Sequence, residues 1–128
     1  MDIQQMRALE QTIDTTWGRA STNDTNATMS IKANLHDNDG LRVLYTTIVN
    51  LGSLHEWETV KGCQEDEAAK IIDQYAKMVK KNYKEATGET LKLKSVANND
   101  SIELISMSAY SPRRTAYYRM IVDFEVTA

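Results

Sequence analysis

Acid–base, nucleophilic and metal chemistry would have to come from few residues in this chain. His36 and His55 are the only histidines and Cys63 the only cysteine. Neither histidine has a serine, cysteine or carboxylate at a spacing that would build a nucleophile–base pair, and a triad needs all its partners within hydrogen-bond reach. Zinc takes about four N, S or carboxylate ligands at characteristic local spacing, whereas Cys63 follows His55 with no second pair. Asp37-Asn38-Asp39-Gly40 has the oxygen-rich start of a calcium loop, but Ile48 stands where the loop's final glutamate is required, so the segment reads as a hairpin turn. Gly18, Gly40, Gly52, Gly62 and Gly88 are scattered singly, and no phosphate-cradling loop can be assembled from them. An enzyme built here would depend on Asp123, Glu125, Tyr45 and His36, and nothing in their spacing pairs them. The sequence predicts no catalytic residue, cofactor or metal.

Bulk properties narrow the classes further. The chain has 128 residues, 41% hydrophobic and 26% charged, which is ordinary for one folded domain spanning residues 1–128. Its net charge is -3, so no global positive field draws it to nucleic acid, and sequence-specific nucleic-acid binding is not expected. No run approaches the roughly 18 apolar residues of a membrane-crossing helix, and the first residues lack a basic and apolar leader. A lone cysteine suits a reducing compartment, and the expectation is a cytoplasmic site of synthesis with no membrane partner. Without a secretory signal, the acceptor patterns at Asn23, Asn26 and Asn99 stay unglycosylated.

The elements follow from period and punctuation. Asp2 and Gln5 have capping-box spacing, and Ile3, Met6, Leu9, Ile13 and Trp17 recur with helical period, predicting an N-terminal helix within residues 1–20 that Gly18 can stop. Residues 21–28 are polar and connect it to a body at 29–126. From Met29 the period becomes two, and two strands flank the turn at 37–40. The second strand, apolar on both faces, should be the more central. Residues 53–61 fit a helical turn or a loop, with Trp57 buried in either case. Gln64 to Ala86 carries the clearest helical stripe, Ile71, Ile72, Tyr75, Met78, Val79 and Tyr83, and Thr87-Gly88 ends it. Glu65, Asp66 and Glu67 then suit a first turn, and Lys70, Lys77, Lys81 and Lys84 form a basic stripe that reads as a solvated face.

Three more strands are expected, around 91–94, 102–104 and 118–126, separated by turns at 98–100 and 111–114 and joined as a meander. The fold class is α+β: an antiparallel sheet of about five strands with one long and one shorter helix, in the order α-β-β-α-β-β-β. One long helix covers one sheet face. The other still presents Leu44, Ile48, Ile105, Met107 and Ile121, so either the N-terminal helix or a neighbouring subunit must cover it. Interface candidates are therefore Leu44, Ile48 and Ile105 on that face, Arg113 and Arg114 at the turn tip, and Tyr117 and Arg119 beside it, where tyrosine and arginine suit a protein contact. Tyr118 shares parity with Met120 and Phe124 and belongs to the core.

This arrangement, ending in Tyr117-Tyr118-Arg119-Met120-Ile121-Val122-Asp123-Phe124-Glu125-Val126, resembles the small neck and tail-completion (tail terminator) proteins of tailed phages. The resemblance lies in element order and size from Asp2 to Val126, and no single residue carries over. It implies a virion structural protein, assembled in the host cytoplasm, that forms a homo-oligomeric ring, typically hexameric, and meets other virion proteins through the tips at 36–40 and 110–115. The alternative is a small acidic module that binds or inhibits a host protein.

Overall fold

The computed structural model describes residues 2–22, 29–36, 40–51, 57–107 and 114–127, without the side chains of 17–22, 29, 36, 49–51, 57–60, 104–107, 114 and 115. Helix α1 spans Ile3–Thr22. Its start is the capping box read from the sequence: the Gln5 amide donates to Asp2 Oδ1 at 2.8 Å, and the Asp2 amide donates to Gln5 Oε1 at 3.0 Å. The buried stripe is Leu9, Thr12, Ile13 and Thr16, while Ile3 stands 68% exposed and takes no part in it. Gly18 does not stop the helix, which continues to Thr22. A lone glycine costs only about 1 kcal/mol in a helix interior.

Helix α2 spans Trp57–Thr87 and settles the undecided stretch from residue 57 onward as helix. Glu65, Asp66 and Glu67 consequently lie turns away from its start, where the dipole no longer accounts for them; all three are simply exposed. Ala68, Ile72, Tyr75, Ala76, Val79 and Tyr83 form its buried face. Its end is where Thr87-Gly88 placed it: Gly88 takes φ 78°, and its amide donates to the Lys84 carbonyl at 2.8 Å.

The sheet has four antiparallel strands, not five: β1 Met29–His36, β2 Gly40–Leu51, β3 Lys92–Met107 and β4 Arg114–Thr127, in the spatial order β1-β2-β4-β3. β1 and β2 form the expected hairpin, with His36 opposite Gly40, and β2 is central as predicted. The turn expected at 98–100 does not exist, because Asn98, Asn99 and Asp100 pair with Val122, Ile121 and Met120 inside one long β3. Register shifts at Ser95/Ala97 and Leu104/Ser106 leave Val96 and Ile105 as extra residues. Each bulge flips the side-chain parity by one and imitates a strand break.

The order also departs from a meander. β2 and β3 both run antiparallel to β4 and hence parallel to each other. Parallel strands need a long crossover, and α2 supplies it; β4 then returns into the gap. Both helices pack on one sheet face, where Leu9 and Ile13 of α1 and Ile72 and Val79 of α2 join Ile31, Val43, Tyr118 and Met120 in a single core. α1 lies against α2 and β1, so it does not cover the opposite face. Among the described residues, no helix is long and apolar enough to cross a membrane.

A candidate interaction surface on the open sheet face

Alternation along β2 and β4 sends Leu41, Val43, Tyr45 and Thr47, with Ala116, Tyr118, Met120 and Val122, to the helices. Their neighbours in sequence must face the other way. The pairing of β2 with β4 sets Leu44 opposite Ile121 and Ile48 opposite Tyr117, with Thr46 and Arg119 between them. Leu44, Ile48 and Ile121 are half-buried, and Tyr117 is 37% exposed. Among the described residues no element packs over them. The flanking strands are polar on this side: Ser30, Lys32 and Asn34 on β1, and Asn99, Ser101 and Glu103 on β3, are all exposed. Two apolar cross-strand pairs, split by Thr46 and Arg119 and flanked by polar strands, suit a protein-binding surface, where arginine and tyrosine are enriched.

One end of the strip is closed by an ion pair. Arg42 and Asp123 stand directly opposite each other, and the guanidinium donates through Nε to Oδ1 at 2.8 Å and through Nη2 to Oδ2 at 3.1 Å. This bidentate contact fixes the orientation of both groups. It also bears on the enzyme alternative, since Asp123 is held by Arg42 on the open face while Tyr45 is buried on the helix face; the sheet separates them.

Other polar groups lie on the helix side. Tyr118, fully buried, donates its hydroxyl to Asp100 Oδ2 at 3.2 Å, and Asp100 Oδ1 lies 3.8 Å from Lys61 Nζ of α2. Burial first, then the Asp100 carboxylate, push the Tyr118 phenol well above its ordinary range. Burial also raises Tyr75, aided by the charge of Asp14, and raises Tyr83, aided by Glu89 and Asp2. Phenols so shifted stay neutral and serve packing. A groove of about 410 Å3 between α1 and α2 is lined by Gln11, Thr12, Thr15 and Asn82 among others. Several of its polar groups are engaged internally: Thr12 donates to the Ala8 carbonyl at 2.8 Å, and Asn82 donates to Thr16 Oγ1 at 2.9 Å.

Of the residues singled out from sequence, the structure gathers Leu44, Ile48, Tyr117 and Arg119 on one face. Ile105 is the extra residue of the second β3 bulge, where it has no register partner, and its side chain is outside the described set. Arg114 begins β4 opposite Leu51 and Met107, while Arg113 and the hairpin tip at 37–39 lie outside the described residues. Lys70, Lys77, Lys81 and Lys84 are exposed, and Lys77 pairs with Asp73 at 3.0 Å one turn away. Ile121 belongs to the strip as much as Leu44 does, and its alternation between Arg119 and Asp123 is the signal for it. The Arg42–Asp123 pair has no such signal, because it depends on the β2–β4 register. Among the described residues no three His, Cys, Asp or Glu side chains cluster as metal ligands would. No family model, curated protein or solved structure matches the chain.

Proposed function

We propose that this chain is a non-catalytic assembly protein that associates with further copies of itself through the open face of its sheet. The observation that supports this reading is the uncovered strip of Leu44, Ile48, Tyr117 and Ile121 inside a polar rim. Apolar burial there would contribute roughly 25 cal/mol per Å2 before the costs of association are deducted. The resemblance in element order to phage neck and tail-completion proteins gives the proposal its form, a closed ring within a virion.

Light scattering across concentration, at low and high salt, is the test. A ring-sized species that persists in salt is expected, and Ile48→Asp, which places a charge within the strip, should dissociate that ring while leaving the far-UV circular dichroism unchanged. A parent chain that stays monomeric throughout, or an oligomer indifferent to Ile48→Asp, would remove this reading.

A further inference from the structure

We propose that two copies of the chain also join edge to edge through β1, in the antiparallel register that sets Ala33 opposite Ala33. The proposal shares the premise of self-association but uses the sheet edge rather than its face. The two sheet edges differ in how they are finished. β3 carries bulges at Val96 and Ile105, with Val96 57% exposed and Lys92, Lys94 and Glu103 exposed along it. Bulges and charges are what keep an edge from pairing. β1 keeps one unbroken register against β2 from Met29 to His36, without bulge or proline, and has β2 as its only neighbour among the described strands. Its helix side ends in a half-buried row, Ala33 and Leu35, packed against the core.

What fits this edge is a second β1. Opposed residues of an antiparallel pair point to the same side, and a two-fold axis through the sheet keeps both helix layers on one side. Residue numbers that oppose one another must then sum to an even value. The fully overlapped register, with Lys32 opposite Ala33, has an odd sum and would set apolar Ile31 against exposed Asn34. Two registers come next in overlap. One opposes Lys32 to Lys32, and like charges directly across a strand pair are destabilising. The other opposes Ala33 to Ala33, Ile31 to Leu35 on the helix side, and Lys32 to Asn34 on the open side. Only this one matches polarity on both faces without charge repulsion.

Cysteine cross-linking reads the register directly, with the exposed Cys63 first replaced by Ser. In the C63S background, Ala33→Cys brings two thiols onto Cα atoms about 4.5–5.5 Å apart, inside the range a disulfide bridges. Oxidised glutathione should convert most of that variant to a reducible species of twice the 14.5 kDa chain mass. Lys32→Cys leaves the Cα atoms roughly 8 Å apart and should cross-link about tenfold less. Strong bridging at 32 and little at 33 would overturn the register. Bridging at neither position, in variants whose circular dichroism matches the parent and whose oligomer still responds to Ile48→Asp, would overturn the edge contact and leave the face contact standing. A dimer bridged at 33 in a chain whose larger oligomer is indifferent to Ile48→Asp would do the reverse. Hydrogen exchange on the parent chain needs no substitution: β1 amides should slow with rising concentration while those on the outer edge of β3 do not, and unchanged β1 exchange would count against the proposal.

Discussion

Along β4, consecutive residues live in two different environments. Tyr118, Met120 and Val122 are buried under the helices, whereas Tyr117, Arg119, Ile121 and Asp123 lie on the face that no described element covers. One strand thus holds together the core of the domain and a surface with no evident role within a single chain. The helix face buries polar groups that are neutral, such as the phenols of Tyr75 and Tyr118; the open face carries charged side chains, among them Arg42 paired with Asp123. The difference lies in solvent: a charge on the helix side would lose its hydration, while on the open side it keeps most of it.

The largest expected effect separates the two faces at adjacent positions. Met120→Ala should cost roughly 2–5 kcal/mol in urea unfolding. Ile121→Ala should cost less than about 1 kcal/mol in the dilute monomer and act instead on assembly. Equal losses at the two sites would erase the contrast. The buried phenols sharpen it through pH. An unfolded tyrosine ionises near 10, and burial holds Tyr75, Tyr83 and Tyr118 above that in the folded chain. The folded state therefore retains protons that the unfolded state releases, so stability is intact below about pH 10 and falls as pH rises through the folded values. Unfolding midpoints measured from pH 8 to 12 should show the decline.

Two phenylalanine substitutions divide these phenols. Tyr118→Phe removes a hydrogen bond to a carboxylate and should destabilise by roughly 1.5 kcal/mol. Tyr75, whose buried hydroxyl has no hydrogen-bond partner among the described residues, should behave oppositely, with Tyr75→Phe neutral or slightly stabilising. Thermal melts of both variants check the sign. On the open face, Asp123→Asn breaks a part-buried ion pair and should cost about 1 kcal/mol, less at high salt.

Legibility in the sequence followed how local each signal was. Asp2 with Gln5, the stripe of α2 and the stop at Gly88 depend on residues a few positions apart, and the structure reproduces them. The parity change between Leu91 with Leu93 and Ile102 with Leu104 is equally visible, yet it is satisfied by a turn or by a bulge, and the partner strand decides between the two. β4 runs long enough to pair through Asn98–Asp100, which makes the change a bulge at Val96 and displaces Ile105 from the regular alternation of the open face. Leu44, Ile48 and Ile121 are readable as facing away from the core because period two alone puts them there, whereas Tyr117 joins them through the β2–β4 pairing.

Strand period, helix caps and the apolar surplus of the sheet are properties of this sequence by itself, since they arise from torsional preference and residue chemistry within a few positions along the chain. Strand order, the crossover through α2 and the side on which α1 docks were decided only in three dimensions. They depend on contacts between residues far apart in sequence, such as Asn82 with Thr16 and Arg42 with Asp123, whose free energy exists only once the chain has closed on itself.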